Sequence, residues 1–296
     1  MSEEFMAARE RARQAFISHI ARDDASIDLA RAALLIAAEE YPALDFAQYM
    51  ARLTEIAERV RLYLQDHQQW FSHPPATRAE YLIVLSAMNV VLFEHERFRG
   101  NRIDYHNPQN SFLNRVLERR LGIPLTLSLI YMEVGKRLGL QIAGIGMPFH
   151  FMVRCSFEDE EALYIDPYEK GRFLSAGDCR QRLSQIFKNA RDFDPSWLEP
   201  LGPRQILIRM LANLKHIYIH RKDFRRALVA CDRILLLNPT LALELRDRGV
   251  MNFHLKRYAR ALHDLDAYLE LTPEASDSAE IRQQIKIIRQ LLAMMN

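Results

Sequence analysis

The stretch 124-PLTLSLIYMEVGKRLG-139 is followed at once by 141-QIAGIG-146, 149-FHFMVRC-155 and 162-ALYID-166, and the change of period at Leu140 decides the fold class. Pro124 suits the first turn of a helix, where its missing N–H costs nothing, and Gly139 suits the residue that ends one. The segment between them is apolar on most sides and is read as a buried helix. The three runs after it are short and rich in apolar residues, with the acidic 158-EDEE-161 supplying a turn, which predicts a small antiparallel sheet. A buried helix followed by three strands gives an α+β domain.

Upstream the pattern is helical. Ser26 can cap a segment that stops before Pro42, and Asp45 can open another in which Phe46, Met50, Leu53, Ile56, Val60 and Leu64 recur at three- and four-residue steps on one face. The break 73-HPPAT-77 precedes 80-EYLIVLSAMNVVLFEH-95, which reads as a central helix. After the turn-rich 100-GNRIDYHNPQNS-111, Ser111 can cap a helix running to about Leu121, with Gly122 as its stop.

Downstream, 198-LEPLGPR-204 reads as a linker, which places one domain at 1–200 and a second at 201–296. The second contains a repeat. Aligning 221-RKDFRRALVACDRILLLNP-239 with 255-LKRYARALHDLDAYLELTP-273 superposes Phe224 on Tyr258, Ala227 on Ala261 and Pro239 on Pro273, each pair 34 residues apart. That is the tetratricopeptide (TPR) period, in which small alanines let paired helices approach and the proline ends the second helix. The segment 276-SDSAEIRQQIKIIRQLLAMM-295 is read as a capping helix.

Composition narrows the function classes. The chain has 296 residues, 49% of them hydrophobic, enough for a core, and its longest uncharged apolar run, 82-LIVLSAMNVVLF-93, is too short to cross a bilayer. The first residues mix both charge signs and lack the features of a secretory signal, so a cytoplasmic protein is expected. Three widely spaced cysteines argue against disulfides and a zinc cluster. The net charge of +2 hides an asymmetry: residues 201–296 hold 16 Lys/Arg against 10 Asp/Glu, and the remaining 24 basic and 28 acidic residues leave the first part near −4. The basic excess favours acidic partners and is too weak to indicate nucleic acid. No phosphate loop, HExxH or calcium loop is present, and no cofactor is expected. His216 and His220 stand four apart on a helix without a third ligand, so they are read as surface residues rather than a metal site.

The chemistry gathers near His150. Cys155 cannot pair with it, because residues five apart on a strand point to opposite faces about 16 Å from one another. Asp166 is the better partner, brought opposite His150 by the acidic turn, and the two make the base and orienting half of a catalytic triad. The nucleophile would then sit at the start of the buried helix, where the helix dipole favours a thiolate.

This order of helix start, closing glycine, and strands carrying a histidine and an Asp-Pro step resembles the core of transglutaminase-like proteins of the papain-like cysteine class. Counting back from Gly139 to the cysteine position of that class arrives at Pro124, which has no nucleophile. His150 and Asp166 match the class histidine and aspartate. Ser128 is the weak substitute candidate, one turn deeper, with its hydroxyl expected to bond to a preceding carbonyl; Thr126 points to roughly the other side. The segments 34-LLIAAEEYPALDFAQYMARL-53, 98-FRGNRIDYHNPQNSFLNRVLERRLGIPLTLSLIYMEVGKRLGL-140, 144-GIGMPFHFMVR-154 and 164-YIDPY-168 are similar to the bacterial SirB/YchA-like family, which joins a transglutaminase-like domain to TPR repeats. The resemblance implies this fold and domain order, and the leading reading is a non-catalytic scaffold in which the TPR module binds another protein. The rival reading is a hydrolase or acyltransferase using His150, Asp166 and a nonstandard nucleophile, and a third is a pocket that binds a peptide or amide without cleaving it. In the TPR module the resemblance places Arg209, Asn213, His216, His220, Arg246 and His254 at or near inner positions, a groove for an acidic segment. Oligomeric state is not legible.

Overall fold

The computed structural model describes residues 3–158, 160–186 and 193–295, so Asp159 of the acidic turn lies outside the described residues. The chain divides into two compact units, 1–206 and 207–296, where the sequence reading put the change at 200/201.

In the first unit, helices α1 (Glu3–Ile20), α2 (Leu29–Ala38), α3 (Phe46–Asp66) and α4 (Arg78–Asn89) precede the central helix. Each start has a chemical cause. Asp28, not Ser26, caps α2 by accepting from Arg31 N, Asp45 caps α3, and Thr77 and Glu80 form a reciprocal capping box on α4. The stripe Leu53, Ile56, Val60 and Leu64 of α3 is fully buried. Helix α4 passes into a wider π turn, Val90–His95, closed by Glu96 N donating to the Val91 carbonyl at 2.8 Å.

Helix α5 (Leu113–Arg119) starts after Phe112 rather than Ser111. It ends because Arg120 takes the left-handed conformation (φ +57°), which frees β2 (Leu121–Gly122) to pair in parallel with β1 (Arg99–Gly100). The helix therefore ends before the expected stop at Gly122, which lies in β2. Helix α6 (Pro124–Arg137) is buried along most of its length, and Gly139 (φ +86°) turns the chain out of it.

The sheet that follows has order β3-β4-β5-β6 and is antiparallel throughout: β3 (Ala143–Ile145), β4 (Met152–Cys155), β5 (Leu163–Asp166) and β6 (Arg172–Leu174). The fourth strand was not expected, because its RFL run is too short to show alternation. Helix α7 (Ala176–Ile186) packs beyond it. Ile145, Met147, Met152, Tyr164, Leu174, Cys179, Leu183 and Leu198 form the core under the sheet.

The second unit is helical. Helix α8 (Pro203–His220) contributes most of its length to this unit and is followed by α9 (Phe224–Leu237), α10 (Ala242–His254), α11 (Tyr258–Leu271) and α12 (Ser278–Met295); α10 packs on both α9 and α11, and α12 packs on α11. Ala227 and Ala261, the small residues of the repeat, are fully buried. Ala261, Leu265, Tyr268, Ile281, Ile285 and Ile288 form a core shared by α11 and α12. The molecule is thus a mostly helical α+β unit with a small antiparallel sheet, followed by an all-α unit that carries the 34-residue repeat. No helix among the described residues is long and apolar enough to cross a membrane.

Candidate functional site

Asp166 closes β5 and begins the Asp-Pro step. Its side chain is fully buried, and its Oδ2 lies 2.8 Å from His150 Nε2 and 2.5 Å from Arg182 Nη1 on α7. Oδ1 accepts from the amides of Tyr168 (3.1 Å) and Glu169 (3.3 Å). Burial on its own would raise the carboxyl pKa, but the hydrogen bonds and charges of His150 and Arg182 outweigh it and hold it below the ordinary Asp value. An ionised carboxylate only accepts, so His150 Nε2 donates to it. Arg182 was not singled out in the sequence, since nothing in its spacing ties α7 to Asp166.

His150 precedes β4 rather than lying in it, next to Phe149, whose φ is +59°. Its ring meets Tyr168 edge-on with centroids 6.2 Å apart. Tyr168 in turn lies across Gly100, where a Cβ would come within 2.3 Å of the ring. Arg102 lies over the Tyr168 ring, 5.8 Å from its centroid, and pairs with Glu169 at 2.6 Å. A second strut fixes the loop after Asp166: Asn89 donates to the Gly171 carbonyl at 2.9 Å and accepts from Tyr131 of α6 at 3.0 Å.

Pro124, which the resemblance sets at the cysteine position, begins α6 and is buried. Thr126 Oγ1 accepts from Ile123 N at 3.1 Å and donates to the Asn110 carbonyl at 2.8 Å, so the helix start is capped by its own side chain. Ser128 is fully buried, and its hydroxyl has no hydrogen-bond partner among the described residues; the expected bond to a preceding carbonyl is not made. The thiols are no better placed. Cys155, Cys179 and Cys231 are all buried and free, and burial pushes Cys155 and Cys179 each up to about 12 and Cys231 further. At pH 7 a thiol of pKa about 12 is ionised about once in 10⁵ molecules. The arrangement can orient an imidazole, and it offers that imidazole no exposed nucleophile among the residues the sequence nominated.

In the second unit, Arg209, Asn213, His216 and His220 lie on α8 and Arg246 and His254 on α10. His216, His220 and His254 are exposed; Arg209 and Asn213 are half-buried, and burial pushes the Arg209 pKa down. Arg246 requires correction as an open donor: it is paired with Asp277 at 2.7 Å and Asp247 at 2.9 Å. His254 is stacked on Phe224, with centroids 4.1 Å apart. A cation the sequence reading missed, Lys215, is buried between Glu244 (2.6 Å) and Asp247 (2.7 Å) and ties α8 to α10. Among the described residues no group of three His, Cys, Asp or Glu side chains is placed to hold a metal ion.

Comparison with known proteins gives the class first. The family model described as Transglutaminase-like superfamily matches residues 47–212, and that of the tetratricopeptide repeat matches residues 214–286. Full-length relatives then fix the family. A UPF0162 protein of Xylella fastidiosa is 35% identical over 88% of this chain and 89% of its own, and one of Pseudomonas aeruginosa is 28% identical over 92% and 94%. The chain belongs to the UPF0162 family of transglutaminase-like proteins. Human F-box only protein 21 is also similar, 38% identical over 44% of this chain but only 21% of that protein. No solved structure matches.

Proposed function

We propose that this protein is a non-catalytic interaction protein: a transglutaminase-like domain that has lost its nucleophile, coupled to a TPR module that binds a protein partner. The carrying observation is the mismatch at one site. His150 and Asp166 are paired as a catalytic base and its orienting group would be, while Pro124 stands where the thiol belongs and every cysteine is buried with a raised pKa. Evolution of a structural role explains both halves, since the buried pair anchors the β4–β5 hairpin and α7 whether or not a substrate is present. Three unbridged buried thiols accord with a reducing compartment, and we place the protein in the cytoplasm.

The partner surface we assign is the α8 and α10 face, with Arg209, Asn213, His216, His220 and His254, and the occupant is an acidic segment, in keeping with the basic excess of residues 201–296. Incubation of the purified protein with amide and peptide substrates should give no turnover. Turnover that a thiol-blocking reagent and Cys155→Ala both abolish would sink the reading. Affinity capture should lose its partner set on His216→Glu combined with His220→Glu, two exposed changes that leave the melting transition in place, and should weaken with salt. An unchanged partner set would move recognition to another face.

A further inference from the structure

We propose that the first unit carries a second site, remote in sequence from His150, which binds a phosphoryl dianion on an arginine cluster held by the buried carboxylate of Glu96. The cluster begins with the π turn. Its wide hydrogen bond, Glu96 N to the Val91 carbonyl, turns Glu96 inward, and the Glu96 side chain is fully buried. Three guanidinium groups converge on it: Arg52 Nη2 at 2.6 Å and Arg120 Nη2 at 3.2 Å on Oε2, and Arg59 Nη1 at 2.5 Å on Oε1.

One carboxylate balances one of these charges. Arg52 has a second acidic partner in Glu55, at 3.0 Å. Arg59 and Arg120 have no acidic partner among the described residues other than the shared Glu96, and their side chains are 53% and 43% exposed. Each guanidinium has five N–H donors in a rigid fork, and the Glu96 contact occupies one on each. Because both groups touch the same carboxylate, they are separated by no more than two hydrogen bonds and the width of that carboxylate. Both side chains also reach solvent, so donors they do not spend on Glu96 are available to a second oxyanion. Two further arginines adjoin in the chain: Arg97, exposed with φ +61°, and Arg99, exposed, whose amide donates to the Arg120 carbonyl at 3.0 Å.

Two features distinguish this from ordinary surface charge. The forks are oriented by a desolvated anchor, so little side-chain freedom remains to be lost on binding. The excess is also positive in a part of the chain whose formal charge is near −4. A monoanionic carboxylate duplicates what Glu96 already supplies. A dianion with three equivalent oxygens uses the forks on both sides and cancels more of the excess, which is the usual task of converging arginines. The shared chemistry is a phosphoryl group, carried either by a small phosphate compound or by a phosphorylated side chain.

Titrate the full chain with inorganic phosphate against chloride at matched ionic strength, following heat and the Nε–Hε resonances of Arg59 and Arg120. Saturable binding that moves those two resonances is expected, and Arg59→Gln should weaken it at least fivefold while Arg52 and Arg120 still cover Glu96. Arg289→Gln, in the second unit, should leave it unchanged. If Arg59→Gln perturbs folding, Arg59→Lys tests the same point, because it keeps the charge on Glu96 and removes the fork. A phosphoserine peptide binding tenfold more tightly than inorganic phosphate identifies a phosphorylated partner, and equal affinity identifies a small phosphate compound. No phosphate binding at millimolar concentration, or binding indifferent to both Arg59 variants, overturns the proposal.

Discussion

Asp166 accepts from four donors with two oxygens, and each donor comes from a different residue: His150, Arg182, Tyr168 and Glu169. Removing it takes one partner from an imidazole that is only 11% exposed and from a guanidinium that is 34% exposed and can rehydrate. Asp166→Ala and His150→Ala should therefore each cost about 1–3 kcal/mol, and the double variant should lose less than the two together, measured by urea denaturation. If both single variants unfold as the parent does and also abolish a measurable reaction, the pair is catalytic. The pH dependence has a definite sign. The folded pKa lies below that of an unfolded Asp, about 3.9, so the contribution is complete above that value and disappears as pH falls through the folded one. As pH falls below about 3.9 the parent should lose stability more steeply than Asp166→Asn.

At the scale of elements, the loop from Asp166 to Gly171 is set by a glycine that no periodicity marks. Gly171 has φ +75°, and a Cβ there would lie 1.9 Å from Asn89 Oδ1. Gly171→Ala should displace Asn89 from both Tyr131 and the Gly171 carbonyl and cost about 2–3 kcal/mol in thermal or urea melts, from backbone strain and overpacking together. A variant as stable as the parent would show that the strut carries no weight.

The same scale shows what the sequence disclosed. The α3 stripe, the Gly139 stop and the 34-residue repeat were legible because each repeats a period or needs a residue of one conformational type. The π turn, β6 and the left-handed Arg120 were not, because a widened turn, a three-residue strand and a positive φ outside glycine leave no compositional mark. At the site, His150 and Asp166 were found from the hairpin order and the resemblance, although His150 precedes β4 and takes no part in its register. Arg182, Tyr168 and Lys215 escaped because tertiary packing alone brings them to their partners.

Across the whole molecule the three cysteines are distributed rather than clustered: Cys155 in β4, Cys179 in α7 and Cys231 in α9. Burial and the raised pKa that silence them as nucleophiles make each a clock for the opening of its own element. A thiol reagent added to the native protein should label none of them at once. Labelling over time, read by mass spectrometry after digestion, should give separate rates for α7, the sheet interior and the repeat module, with Cys155, in an inner strand of the sheet, slower than Cys179, whose helix packs beyond the edge strand. A common rate for all three would mean that the two units and the sheet yield in a single cooperative event. The three buried thiols thus report, without any engineered probe, the order in which the native structure comes apart.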